Sequence, residues 1–439
     1  MNNVRLFTVL MALLSQTSFS QDFDKTKLGS YFDTLETHNN FMGSVAVSQD
    51  GKLIYTRSVG FADVENAIKA DKDTKYRIGS ISKTFTAVLV FKAIEKGIID
   101  LNQTIDKFFP NIQNADKITV SHLLYHRSGI HNFTNDEDYL TWNTQAKTEK
   151  EMLDIIEKAG SDFEPGSQSE YSNSNYVLLT YMLEKSFEKP YSELIGEYIT
   201  KPLGLTNTYL GGKINIDNNE SYSYQYLGNW KQESETDISI PMGAGGIVST
   251  PIDLVKFSNA LFGGELIQKE SLEQMKTING KYGIGIFQIP FYNKVAYGHT
   301  GGIDGFSSIF SGFPNQNISY ALISNGTNVN NNDISVAVLS AVFNKPYKLP
   351  EFKTYELNTE DLDKYLGVYK SPEPPFEITF TKENNTLIAR AKGQPELPLE
   401  ATEKDVFTYH QVGVVIEFKP SKKSMILKQA GKKYTFTKE

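Results

Sequence analysis

Ser80-Ile81-Ser82-Lys83 places a hydroxyl and an amine three residues apart at the start of an apolar stretch running from Ile81 to Ile94. On a helix, residues at that spacing share a face, so the lysine nitrogen can approach the serine oxygen. The pair becomes useful when one partner changes protonation state. A serine that keeps its proton is a poor nucleophile, and a lysine at a dry helix start is discouraged from staying charged, so it can take part in removing that proton. Backbone N–H groups at the helix start can meanwhile face a developing oxyanion. The same four residues also read as a capping serine followed by a surface lysine, and spacing alone does not separate the two. Two later stretches bear on the choice. Tyr171-Ser172-Asn173 follows the turn Glu164-Pro165-Gly166 and leads into a helix, and His299-Thr300-Gly301-Gly302 ends an apolar strand.

The surrounding chain must position these residues. Leu28, Tyr31, Phe32 and Leu35 recur at the helical period and give way to two apolar runs around Asp50-Gly51. That pattern predicts a helix and then a hairpin of strands over Ser44–Ser48 and Lys52–Thr56. From Ile81 to Ile94, Phe85, Val88, Leu89, Phe91 and Ala93 are apolar on nearly every side and Gly97 closes the run, so this helix belongs in the middle of a core. Further helices are predicted over Val120–His126 behind Thr119, over Tyr176–Phe187, and over Ile252–Phe262 capped by Ser249 or Thr250 ahead of Pro251. Strands return at Val295–Tyr297, Ser307–Phe310 and Tyr320–Ser324, and Asn325 to Asp333 reads as an asparagine-rich loop. Helices between an N-terminal hairpin and C-terminal strands predict an α/β domain of the α+β type with a largely antiparallel sheet. That domain therefore needs both ends of its own stretch of chain. The pattern breaks around Lys345–Pro350. Beyond it, helical periodicity returns only near Leu362–Leu366, and short alternating segments from Phe376 to Thr437 predict a small barrel or sandwich.

Taken in order, Ser-x-x-Lys, Tyr-x-Asn and His-Thr-Gly-Gly resemble the three motifs of the serine β-lactamase and penicillin-binding-protein family, in the class C branch with its esterases and D-aminopeptidases. Tyr76-Arg77-Ile78-Gly79 ahead of the first motif, His122-Leu123-Leu124-Tyr125-His126, Pro202-Leu203-Gly204-Leu205 and Ala244-Gly245-Gly246 extend the likeness, which spans about Phe41 to Ser324. The resemblance implies an antiparallel sheet flanked by helices with an all-helical subdomain, over residues 21–345, followed by a lipocalin-like C-terminal β domain over residues 351–439. It implies that Ser80 is the acylated nucleophile and that Lys83 accepts or relays its proton. Tyr171 would act as general base in acylation and pass a proton to the leaving group; which of Lys83 and Tyr171 is the base stays open. Asn173 would hold a substrate amide carbonyl, His299, Thr300 and Gly301 would contribute to substrate binding, and the N–H groups of Ser80 and Gly302 would form the oxyanion hole. Moving a tyrosine from a pKa near 10 to roughly 7 requires about 4 kcal/mol, which nearby cations could supply.

His299 departs from the family pattern, which usually has lysine there. A histidine near its reference pKa of about 6.5 is mostly neutral at pH 7, so recognition of a substrate carboxylate is in doubt and cleavage of an ester or peptide amide, with D-amino acids among the candidates, is favoured over antibiotic hydrolysis. If the histidine charge matters, activity should change between about pH 6 and 7.5. The rival reading is a catalytically silent protein of the same fold that binds peptidoglycan fragments or acts as a scaffold.

Composition excludes much else. The chain has 439 residues, 44 Lys+Arg against 52 Asp+Glu for a formal charge of −8, and no cysteine, which removes disulfides, thiolate zinc sites, iron–sulfur clusters and a cysteine nucleophile. Without a basic run there is no footprint for nucleic acid. Arg5, the apolar run Leu6–Leu14 and Ser18-Phe19-Ser20 predict a secretory leader over residues 1–20, a run too short to span a bilayer. The mature protein is expected to be periplasmic or secreted, with no membrane span, no metal and no organic cofactor, acting on a small ester, amide or short peptide. His122, His126 and His131 read as structural rather than metal-binding. Glu164, Asp253 and Asp304 read as caps or partners of nearby donors.

Overall fold

A computed structural model of the chain describes residues 23–352, 355–373, 375–392, 394 and 396–439. The leader expected at residues 1–20 lies outside them.

The apolar runs at the two ends of the first domain find each other. Strands β1 (Phe41–Gln49), β2 (Lys52–Val59), β3 (Phe287–Phe291), β4 (Lys294–Ile303), β5 (Phe306–Phe313) and β6 (Ile318–Thr327) form one antiparallel sheet in the order β3-β4-β5-β6-β1-β2. The Asp50-Gly51 hairpin is present, and β1 pairs with β6 with Val45 opposite Leu322. Both central strands are longer than their predicted cores and are buried almost throughout. Such strands are covered on both faces, which a simple alternation does not reveal. On one face Val45, Val47, Tyr320 and Leu322 pack with Leu28 and Phe32 of helix α1 (Lys25–Thr37). On the other, Ala46, Ala321 and Ile323 join the larger core around helix α2 (Ser82–Glu95). Phe85 of α2 stacks on Phe257 of the helix at Pro251–Phe262, predicted from Ile252, with ring centroids 3.9 Å apart. No named strand interrupts the stretch from α2 to Leu203, which carries helix α3 (Asn173–Phe187) and several shorter helices.

Four local predictions shift. Ser80 lies in a 3₁₀ turn, Gly79–Ile81, immediately before α2 rather than inside its first turn. The third helix starts at Asn173, three residues earlier than its apolar periodicity indicated, because a polar first turn carries no hydrophobic signal. The strand predicted at Val295–Tyr297 runs on as β4 to Ile303, so His299 to Gly302 end it as paired strand residues, with His299 opposite Phe310 and Gly302 opposite Ser307 of β5. The asparagine-rich stretch splits between the end of β6 and helix α4 (Asn331–Val342), and Asn325 is buried, its amide donating to the carbonyls of Phe61 and Tyr222.

The C-terminal segments close into a barrel of eight strands: β7 (Gly367–Pro372), β8 (Pro375–Glu383), β9 (Thr386–Ala391), β10 (Glu396–Glu403), β11 (Val406–Tyr409), β12 (Val414–Lys419), β13 (Ser424–Gln429) and β14 (Lys432–Lys438). Pairing of Tyr369 with Lys438 joins the first strand to the last, which removes free edges. Strand β10 escaped prediction because Pro398 interrupts its alternation.

Backbone meets backbone where β4 crosses the turn that holds Ser80. Gly79 adopts φ +50°, and a Cβ there would lie 2.7 Å from Gly302 N. A Cβ on Gly301 would lie 2.0 Å from the Ile78 carbonyl oxygen, whereas one on Gly302 would find nothing nearer than 3.9 Å. We expect Gly301→Ala to destabilise the fold by about 1–3 kcal/mol through overpacking. Gly302→Ala should keep the wild-type melting temperature, so equal midpoints for the two variants in thermal unfolding would contradict this packing.

Candidate active site

Lys83 is fully buried, and its amine meets three oxygens: Ser80 Oγ at 3.0 Å, Asn173 Oδ1 at 2.7 Å and the Ala244 carbonyl at 2.6 Å. The carbonyl is aimed by the turn Met242–Gly245, which is tied to the core by Thr86 Oγ1 donating to Gly243 O and Gly243 N donating to Thr180 Oγ1. Burial holds the Lys83 pKa well below the usual lysine range. A neutral amine has two N–H donors and one lone pair. Asn173 and Ala244 can take both hydrogens, which leaves the lone pair for the Ser80 hydroxyl proton.

Tyr171 hydrogen-bonds Ser80, and the Lys83 nitrogen lies 4.9 Å from the centre of its ring. Burial pushes its phenol above the ordinary value near 10, with the Ser80 hydrogen bond opposing. The drop toward 7 expected from nearby cations is therefore not found, because the cation in reach is Lys83, and the same dry pocket drives it toward the neutral form. The Tyr171 ring is held by His126, stacked at 4.4 Å, and by Tyr282, edge-on at 5.9 Å. His126 accepts a hydrogen bond from Ser172 N at its Nδ1, which fixes the chain between Tyr171 and Asn173. This positioning part was hidden in a segment that reads as structural. Asn173 receives a second tether from its backbone N–H to Asn132 Oδ1, and its Nδ2 donates to Thr134 Oγ1, leaving one amide hydrogen for a ligand.

The residues of the third motif separate. Thr300 is exposed on β4, Gly301 lies against the Ser80 turn, and Gly302 lines the cleft. His299 is 2% exposed, with Phe287 covering its ring at 4.2 Å, and it lies outside the cleft lining. Its Nδ1 sits against the Thr300 carbonyl, an arrangement that places the ring proton on that nitrogen. Burial first, and then the Lys83 charge, push its pKa down to about 3. The expected change of charge between pH 6 and 7.5 is thus corrected: the ring stays neutral throughout that window.

Ser80, Asn173 and Gly302 open onto a cleft of about 440 Å³ with apolar walls at Phe133, Tyr139 and Leu140. Among the described residues no Lys, Arg or His lines it, whereas Glu233 and Asp304 do. Asp304 is paired with buried Arg77 at 3.0 Å and accepts from Thr236 N–H. The backbone N–H of Glu233 donates to the Ser223 carbonyl, but its carboxylate has no hydrogen-bond or ion-pair partner among the described residues; burial, with Asp304 nearby, raises its pKa. The other residues singled out have separate partners. His122 shares a capping box with Thr119, His131 meets Asp162 and Asp136, Asp253 accepts from Asn207 N–H, and exposed Glu164 lies 3.7 Å from Lys117.

Fold and site together have the form of a serine hydrolase, a buried amine beside a hydroxyl under two converging backbones. A family model described as Beta-lactamase matches residues 32–343, and the chain belongs to that family. It is 26% identical to penicillin-binding protein 4* of Bacillus subtilis (strain 168), over 92% of this chain and 96% of that protein. It is 25% identical to the teichoic acid D-alanine hydrolase of Staphylococcus aureus over 66% of this chain and 72% of the relative. The crystal structure of the D-amino acid amidase from Ochrobactrum anthropi SV3 superposes with a TM-score of 0.65 at 26% identity, covering 73% of this chain and 98% of the amidase.

The buried neutral histidine has a thermodynamic consequence. Unfolded, His299 titrates near 6.5; folded, at about 3. Between those values the unfolded chain binds the extra proton, so stability falls as pH drops through the window, by about 3 kcal/mol at pH 4. We expect the urea midpoint of the wild type to fall more between pH 7 and 4 than that of His299→Gln. Parallel losses in the two proteins would place the ring in contact with solvent.

Proposed function

We propose that this serine hydrolase forms an acyl-enzyme on Ser80 and cleaves an ester or amide whose acyl group carries a free amino group. The observation that carries the reading is the Lys83 amine, out of water and 3.0 Å from Ser80 Oγ. Ser80 Oγ attacks the carbonyl carbon as its proton passes to the Lys83 lone pair. The N–H groups of Ser80 and Gly302 receive the developing oxyanion, a contribution worth on the order of 10²–10³ in rate per donor. The Tyr171 phenol, kept protonated by burial, gives its proton to the leaving oxygen or nitrogen and recovers one from Lys83. Water then attacks the acyl-enzyme by the reverse relay, and Asn173 Nδ2 holds a substrate carbonyl. His299 acts from behind as a neutral ring packed near Tyr171, with centroids 6.3 Å apart, rather than as a contact to substrate.

The charge of the cleft supports the substrate class. With no cation in the lining among the described residues, a substrate carboxylate has no partner there, whereas the unpartnered Glu233 carboxylate suits an ammonium group. Two of the relatives are named as a D-amino acid amidase and a teichoic acid D-alanine hydrolase, and an amino acid linked through its carboxyl carries such a group. The leader expected at residues 1–20 and the teichoic acid relative support a periplasmic or secreted location.

A fluorophosphonate probe should label the protein stoichiometrically and lose all labelling in Ser80→Ala; an unlabelled wild type would favour the silent scaffold. For Glu233→Gln, kcat/KM toward D-alanine p-nitroanilide should fall about 10- to 100-fold, the range of a charge-assisted hydrogen bond. Its N-acetyl derivative should be cleaved as by the wild type. Equal losses on both substrates would remove Glu233 from ammonium recognition while leaving the labelling result intact.

A further inference from the structure

The side chains of the C-terminal barrel do not fill it. Inward positions alternate along the strands, and at one end Phe380, Phe407 and Phe418 pack with Tyr365 of the 3₁₀ segment ahead of β7, with centroids 4.7 to 5.6 Å apart, and close that end. Toward the other end the same strands turn inward with Ile378, Ala389, Ala391, Leu397 and Leu427. The two alanines leave room, and the lumen there measures about 510 Å³, within the roughly 300–1,000 Å³ of small-molecule sites. Among the described residues its lining has no charged side chain. Its polar groups are Tyr409 and three glutamines, Gln394, Gln411 and Gln429. Phe376 and Val412 belong to the same lining and stand 42% and 51% exposed. Unfilled apolar volume costs a domain stability, and apolar walls hold water poorly. A chain of CH₂ groups satisfies both conditions.

We propose that this lumen binds the alkyl chain of an ester- or amide-linked acyl compound, with the chain inside and the neutral head group against the glutamine amides. Free fatty acid fits less well because no cation among the described lining residues meets its carboxylate. The direction in which the head group points follows from a second observation. Tyr409, Gln411 and Val412 also line a groove of about 410 Å³ between the two domains, and Glu233 and Asp304, which line the Ser80 cleft, line that groove too. The barrel is held in this register by Gln411, whose amide donates to the Thr327 carbonyl at the end of β6, and by Gln225 Nε2, which donates to Glu396 O at 3.2 Å. A head group leaving the lumen therefore enters the trough that leads to Ser80. This last step rests on the hydrolase reading; occupation of the lumen does not.

The test uses the full chain, with the neutral fluorophore N-phenyl-1-naphthylamine as probe and monoacylglycerols of increasing chain length as competitors. Each methylene moved from water into the lumen should tighten displacement about fourfold until the cavity is full. Ala391→Trp, which plugs the lumen, and Val412→Asp, which charges its exposed rim without touching the barrel core, should each weaken monodecanoin binding at least tenfold. Both should leave p-nitrophenyl acetate hydrolysis within twofold of wild type, and Ser80→Ala should bind as the wild type does, which separates this site from the catalytic reading. If the chain belongs to the substrate, Ala391→Trp lowers kcat/KM for p-nitrophenyl decanoate and spares the acetate; if it belongs to a separate ligand, both esters are turned over as before while monodecanoin binding is still lost. No saturable probe binding, or binding unchanged in both barrel variants, would overturn the proposal.

Discussion

A lysine amine kept out of water is the condition on which the site rests. No carboxylate pairs with Lys83 among the described residues, and the oxygens around it are a hydroxyl, an amide and a main-chain carbonyl. None of these carries a charge that would hold the ammonium form, so desolvation decides its state. The polar acceptors keep the neutral amine from being an unsatisfied buried group, and they also fix its lone-pair direction. Keeping water away needs the whole surround: α2, apolar on nearly all sides, the turn at Met242–Gly245 above it, and the aromatic stack of Tyr171, His126 and Tyr282 at its flank. The tyrosine and the histidine of the site are subject to the same dryness, and each is driven to its neutral form, Tyr171 protonated and His299 without charge.

The second demand is that two backbones meet. Ser80 and Gly302 can offer their N–H groups to one oxygen only if β4 runs directly against the turn before α2, and Gly79 and Gly301 permit that approach. Buried Arg77 spans the same junction. It sits just ahead of the Ser80 turn and pairs with Asp304 just beyond Gly302 and with Glu235, while also donating to the carbonyls of Thr236 and Gly212. A buried ion pair is a poor source of net stability because desolvation offsets much of its attraction, so registry is the better account of this one. The cluster also gives the cleft mouth its acidic character, since Arg77 answers two carboxylates and leaves Glu233 unmatched.

The elements that carry a strong period were legible without coordinates. Helix α2, the Asp50-Gly51 hairpin and the helix behind Thr250 lie where apolar spacing and capping residues put them. The barrel was visible as a run of short strands, apart from β10, where Pro398 breaks the alternation, and β7, which follows a 3₁₀ segment at Thr359–Tyr365. Boundaries fared worse wherever the terminal residues were polar or glycine, as at Asn173 and at Thr300 to Gly302. Such positions are set by what packs against them, and no local period records it.

Residue types and their order determined which groups could do chemistry: a serine with a lysine one helical turn away, a tyrosine and an asparagine two apart, and a pair of glycines in a strand. They also determined that no thiol takes part. The protonation states belong to the tertiary structure, because a pKa depends on how much water and which charges surround a group, and those surroundings come from segments far apart in the chain. The burial of His299 behind Phe287, the clamp of His126 on Tyr171 and the isolation of Glu233 are all of that kind. A histidine in a motif is one residue in the sequence; whether it is a switch near neutral pH or a neutral wall is decided by the ring that covers it.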